Sequence, residues 1–125
     1  MAVIIGAVVG VWMVLFVVPM LVYGITAASL GLKTPGAGSP TRFLLGVAVA
    51  KLGTAVVFVA LFRLSQPVFA ERWVLYAFLW FVMFAGDEGG QVLSGTQSKM
   101  EAAAGIISEA IYFPTAAFLV RILLG

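Results

Sequence analysis

The sequence predicts an all-α fold, a polytopic transmembrane four-helix bundle with short loops. Hydrophobic residues make up 63% of the 125 residues and charged residues only 10%, whereas a soluble domain has roughly 25% charged residues at its surface. The length sets the number of helices, because a membrane-spanning helix takes about 20 apolar residues. Four such helices fit into 125 residues, and a fifth would not.

Four apolar segments are the predicted spans. The first extends from about residue 2 to residue 32 and is long enough to be tilted in the bilayer. No Lys or Arg precedes it, and it exceeds the ~7–15 apolar residues of a signal peptide, so we expect it to be a retained helix. The other spans are predicted at residues 43–62, 73–93 and 101–124, within a single domain over residues 1–125.

Helix-breaking residues mark the connections between the spans. Residues 33–42 contain two prolines and two glycines, residues 63–72 contain Pro67, and residues 94–99 are polar. Because these loops are short, we expect antiparallel helices that follow one another in sequence around the bundle. The first and third loops then share one face of the membrane.

The composition also excludes several functions. The chain has no cysteine and no histidine, which removes disulfides, the usual haem ligand and the usual general base. We therefore expect no cofactor, no metal site and no enzymatic activity. An enzyme acting on lipid, with Lys51 as its nucleophile, is the weakest alternative because no known catalytic motif is present. The net charge of +2 is too small to imply a nucleic-acid partner.

Four charged residues fall inside the predicted spans, namely Lys51, Asp87, Glu88 and Glu109. Each costs at least ~2.5–3.5 kcal/mol in the bilayer unless it is paired, neutralised or hydrated. Counting about 1.5 Å per residue from the span ends places Lys51 and Glu109 about 12 Å, and Asp87 about 9 Å, below the face of loops 1 and 3. The sequence therefore predicts one charged layer.

Polar neighbours extend this layer. Asp87 and Gln91 share a helix face because they are four residues apart. A polar stripe with Glu109 on its flank is predicted to face the interior, a partner subunit or a watery cleft. The stripe consists of Glu101, Gly105, Ser108, Tyr112 and Thr115. The predicted residues for ion or substrate binding, or for proton relay, are Lys51, Asp87, Glu88, Gln91, Glu109 and Tyr112.

Several points stay open at the level of sequence. The glycine-rich residues 86–90 indicate either a locally unwound helix that exposes carbonyl groups to an ion or a span that ends near Ala85. Lys51 either snorkels toward the surface or forms a static bridge with Glu109, which could instead be a neutral acid bonded to span 3. Gly6 and Gly10 form a GxxxG pattern that is also common by chance.

Two functional hypotheses follow. The first is a transporter or channel subunit that moves a proton, a cation or a small charged solute through the carboxylate and lysine cluster. The second is an accessory or assembly subunit in which the charges form structural bridges. The expected partners are the lipid bilayer and either further copies of the chain or other membrane subunits. Lys and Arg are balanced between the two faces, so the orientation is not predicted; one face has Lys33, Arg42 and Lys99, and the other has Arg63, Arg72 and Arg121.

Overall fold

The predicted all-α fold is confirmed. The computed structural model describes the backbone of residues 1–30 and 40–125, and the side chains of residues 1–25, 42 and 44–125. Most of the first predicted loop therefore lies outside the described residues. Four long helices and one short helix are present in the described parts: α1 (Ala2–Leu30), α2 (Pro40–Leu64), α3 (Gln66–Phe69), α4 (Trp73–Ser94) and α5 (Lys99–Leu124).

Three of the long helices are long and apolar enough to cross a bilayer. These segments are Ala2–Ile25, Leu44–Leu64 and Lys99–Leu124. Helix α4, which contains Asp87 and Glu88, is not among them. Large apolar side chains are exposed on all four long helices, as expected for surfaces that face lipid. The chain is a small multi-pass integral membrane protein.

Helix boundaries differ from the predicted spans by a few residues, for local reasons. Helix α2 begins at Pro40, earlier than predicted, because a proline in the first turn has no N–H to leave unpaired. Helix α5 begins at Lys99 because the Ser98 side chain accepts a hydrogen bond of 3.1 Å from the Glu101 N–H. The connection after α2 contains the unpredicted helix α3.

Helix α4 continues without interruption through residues 86–90 to Ser94. The predicted unwinding is therefore wrong, whereas the alternative that the membrane span ends near Ala85 concerns the position of the bilayer and stays a prediction. It ends at Gly95, whose φ of 79° is left-handed and whose N–H bonds to the Gln91 and Val92 carbonyls. Glycine adopts this conformation without the steric cost that other residues meet.

The helices are arranged around the bundle in the order α1, α2, α4, α5. Helix α5 packs against both α1 and α4, and α1 packs against α2. Helices α2 and α4 meet through aromatic side chains, because Phe58 contacts Tyr76 and Trp80. The Tyr23 hydroxyl near the end of α1 donates to the carbonyl of Glu101 at the start of α5, so these two helices are antiparallel.

An aromatic layer fills the half of the bundle that lies next to α3. Its rings contact one another at centroid distances of 4.9–6.3 Å. The Tyr76 hydroxyl donates to the Phe58 carbonyl, so its polar end is satisfied within the layer. The aromatic layer consists of Phe58, Phe62, Tyr76, Trp80 and Phe113, all of them buried.

Polar contacts close the same end of the bundle. Gln66 of α3 donates to the Leu124 carbonyl at 3.0 Å and accepts from Arg63 at 2.7 Å. Arg121 forms an ion pair of 3.0 Å with Glu71. These contacts attach the connection between α2 and α4 to the end of α5.

The predicted GxxxG pattern has a role within the chain. A Cβ atom on Gly10 would lie 2.8 Å from Leu119 Cδ2, whereas a Cβ on Gly6 would meet nothing within 4 Å. The small size of Gly10 therefore allows α1 to approach α5 closely.

Candidate functional site

Helices α2 and α4 separate toward the end of the bundle that contains the α4–α5 connection. Trp80, Phe84, Asp87 and Gln91 follow 4, 3, 4 spacing and so lie along one face of α4. Trp80 is buried against Phe58, Phe84 is half-buried, and Asp87 is exposed. The face that α2 covers at Trp80 is therefore uncovered at Asp87.

Burial along α2 leads to the same conclusion. Within its described side chains, α2 has no buried residue before Ala55, whereas Ala55, Phe58, Val59 and Phe62 are all buried. Helix α5, in contrast, is buried from Ala102 onward. We use the term polar cleft for the region between the first half of α2 and the second half of α4, where Asp87 and Gln91 lie and no described α2 side chain is buried.

Asp87 and Gln91 form the hydrogen-bonded pair that their spacing predicts. Gln91 Nε2 donates to Asp87 Oδ2 at 2.8 Å, at the exposed side of the polar cleft. The acidic side chain that contacts α5 is Glu88, the next residue. Asp87, which the sequence assigned to a charged layer, is therefore exposed and does not contact α5 through a hydrogen bond in the described residues.

The Glu88 carboxyl group packs directly on Gly105 of α5. A Cβ atom on Gly105 would overlap the Glu88 carboxyl group, with Glu88 Cδ at only 2.7 Å. The Gln97 side chain, in the connection between α4 and α5, donates to Glu88 Oε2. Glu88 is thus held between a glycine and an amide at the boundary between the loop and the bundle.

Glu109 is the buried acid of the site. The residue is 3% exposed, and its Oε1 atom has no hydrogen-bond partner among the described residues. The Glu88 carboxyl group lies against Gly105, which is one helical turn before Glu109 on α5. The two acids are therefore neighbours at the contact between α4 and α5.

Lys51 points into the bundle from α2. Its Nζ donates to the Tyr112 hydroxyl at 3.2 Å and lies 4.9 Å from the Tyr112 ring centroid and 5.8 Å from the Phe84 ring centroid. In this arrangement Lys51 does not snorkel toward the surface. No salt bridge joins Lys51 and Glu109 among the described side chains.

Most of the polar stripe on α5 faces the interior, as predicted. Gly105, Ser108 and Tyr112 are buried, together with Glu109 on the flank, and Ser108 donates to the Ala104 carbonyl at 2.9 Å. Glu101 is only half-buried, and Thr115 is exposed. Its hydroxyl donates to the Ile111 carbonyl at 2.7 Å, so it needs no partner outside its own helix.

Two residues of the site were missed at the level of sequence. Gln97 had the polar turn of residues 94–99 as its only signal, and nothing in that turn indicates that its side chain folds back onto Glu88. Tyr23 is a polar side chain in an otherwise apolar stretch of α1, and it contacts the start of α5 at 3.2 Å.

Comparison with known proteins gives no functional assignment. No family model matches the chain, and no curated protein or solved structure is significantly similar to it. In the described residues, no group of acidic side chains is arranged to hold a metal ion. The function is therefore inferred from the geometry of the site.

Proposed function

We propose that this chain is a small membrane transporter or channel subunit that moves a proton or a small cation. Glu88 and Glu109 are the binding carboxyl groups, and Lys51 is an internal counter-ion. The observation that carries the proposal is the buried Oε1 atom of Glu109, which has no partner among the described residues. A buried, unpaired polar atom costs about 1–3 kcal/mol, and ionisable groups inside membrane helices are typically functional.

The polar contacts run inward from the loop. Gln97 is partly exposed and bonds to Glu88. Glu88 packs on Gly105, one helical turn before the buried Glu109 on α5. Glu109 is one further turn from Tyr112, which accepts a hydrogen bond from Lys51. A cation that enters the polar cleft would therefore meet carboxyl groups before it reaches the aromatic layer.

The charges of the inner residues favour a positive passenger. With both carboxyl groups ionised, Glu88, Glu109 and Lys51 together carry one excess negative charge. One proton or one monovalent cation makes this group neutral, whereas an anion would add to the repulsion between like charges. Carboxyl groups that share a site also favour retention of one proton, which suits a site that exchanges protons with a passenger.

The test is ion flux in proteoliposomes that contain the purified protein and a trapped pH indicator. Under an imposed potassium gradient with valinomycin, we expect Glu109→Gln and Glu88→Gln each to lower proton flux by about tenfold or more, equivalent to about 1.4 kcal/mol. Glu71→Gln is the matched control because Glu71 is an exposed carboxylate at the opposite end, and its flux should equal that of the wild type.

Thermal unfolding of each variant in detergent shows that a loss of flux is not a loss of fold. Undiminished flux in a Glu88→Gln, Glu109→Gln double variant would overturn the proposal. Wild-type protein that carries no cation and co-purifies with another membrane subunit would support the accessory-subunit hypothesis instead.

A further inference from the structure

We infer that the passenger is an organic ammonium ion and that Lys51 occupies the passenger's position in the state described here. This inference rests on the proposed function and specifies its substrate class. The Lys51 ammonium group already lies in the site. The groups that surround it indicate which kind of cation the site accepts.

The surroundings of Lys51 Nζ are aromatic. The faces of Tyr112 and Phe84 lie 4.9 and 5.8 Å from it, within the ~6 Å over which cation–π attraction acts. Metal cations such as magnesium and calcium are bound instead by several oxygen ligands. Two rings and one hydroxyl group around a cation therefore favour an ammonium ion.

Glu109 supplies the anionic side of the same site. It lies one helical turn before Tyr112 on α5, it is buried, and its Oε1 atom has no partner among the described residues. A primary ammonium group has three N–H donors, of which the Tyr112 hydroxyl takes one from Lys51. A free alkylammonium ion, without the tether that limits Lys51, can reach both Tyr112 and Glu109.

Lys51 is placed where it can leave. It belongs to the part of α2 that has no buried side chain among its described residues before Ala55, so its long side chain can swing into the polar cleft. Two ammonium groups repel each other at close range. Lys51 and the passenger therefore cannot occupy the site at the same time, and the passenger enters only when the Lys51 ammonium group leaves.

The test measures binding of n-butylammonium, whose length matches the lysine side chain, by titration calorimetry of the purified protein in detergent. We expect saturable binding to the wild type and binding about tenfold tighter to Lys51→Ala, because the internal competitor and its volume are gone. Lys51→Met is the matched control, since it removes the charge but keeps the space filled, and it should bind no more tightly than the wild type.

A second comparison tests the aromatic contribution. Phe84→Leu removes the ring face and should weaken n-butylammonium binding about fivefold in the Lys51→Ala background. The loss should be smaller in the wild type, where the same ring also holds the competing Lys51. Potassium ions at equal concentration should not displace the amine. Lys51→Ala that binds no more tightly than the wild type, or displacement by potassium, would overturn the inference.

The two proposals fail in different ways. If proton flux requires Glu109 but n-butylammonium does not bind, the inference is wrong and the proposed function still holds. Binding of n-butylammonium with flux that is insensitive to Glu88 and Glu109 would remove the proposed function. Unfolding temperatures of all variants in detergent identify any loss of fold, and Phe84→Leu in the Lys51→Ala background then tests the ring contact without competition from Lys51.

Discussion

Gly105 determines where the Glu88 carboxyl group can lie. Any side chain at this position would occupy the space of that group, so the missing Cβ atom brings an acid of α4 against the backbone of α5. Gly105 therefore has a chemical as well as a packing role, because it lets the Glu88 carboxyl group approach α5 one helical turn before Glu109.

Gly105→Ala should move the Glu88 carboxyl group away from α5. Overpacking costs typically about 1–3 kcal/mol, and we expect the lower end because the Glu88 side chain is flexible, together with a loss of proton flux similar to that of Glu88→Gln. Chemical unfolding in detergent and the flux assay are the measurements. Gly6→Ala is the control, because a Cβ there meets nothing within 4 Å; equal effects of the two substitutions would contradict this role of Gly105.

Counting along a helix predicts how far each charged residue lies from the helix end but not the direction in which it points. Successive helix residues differ by about 100° in direction, so Asp87 and Glu88 have nearly the same depth but face different neighbours. An amphipathic helix reveals its inner face through its apolar stripe, but a helix that is apolar on all sides does not. The choice between Asp87 and Glu88 therefore depended on packing between helices.

At the scale of elements, the turn between α4 and α5 positions one wall of the site. Gly95 ends α4 in a left-handed conformation, and the Thr96 N–H bonds back to the Gln91 carbonyl at 3.0 Å. Ser98 then caps α5, which leaves Gln97 between the two helix ends and in contact with Glu88. Short-range signals predicted the turn, but α3 was missed because four residues are too few to show a helical period.

Ser98→Ala should loosen this turn. Loss of an N-cap costs about 0.5–2 kcal/mol, and the Glu101 N–H, which bonds to the Ser98 hydroxyl at 3.1 Å, should exchange with solvent faster. Hydrogen exchange and chemical unfolding in detergent check both effects. Thr115→Val is the control because its hydroxyl bonds within its own helix. A Glu101 amide that exchanges as slowly as in the wild type would show that Ser98 does not hold the start of α5.

At the scale of the whole molecule, the two halves of the bundle differ in packing. The aromatic layer and the contacts of α3 close one half, whereas the polar cleft separates α2 from α4 in the other. Composition and segment length were enough to predict a membrane bundle, because they depend only on totals. The unequal packing was not predictable, because it depends on which aromatic side chains meet across helices that are far apart in sequence.

This asymmetry predicts which positions contact water and which contact lipid. The chain has no cysteine, so each introduced cysteine is the only reactive thiol. In proteoliposomes we expect Asp87→Cys and Gln91→Cys to react with a membrane-impermeant thiol reagent roughly tenfold faster than Val82→Cys, because such reagents attack the thiolate, which forms in water and not in lipid.

Val82 is the appropriate comparison because it lies on the same helix, on the opposite face from Asp87, and is 50% exposed. Exposure alone therefore cannot explain a difference between the two positions. Ala55 is fully buried beside the aromatic layer. Ala55→Cys should therefore not react, which would show where the polar cleft ends. Equal, slow labelling at positions 82, 87 and 91 would mean that lipid fills the polar cleft, and Glu88 and Glu109 would then have no aqueous route to a proton or a cation.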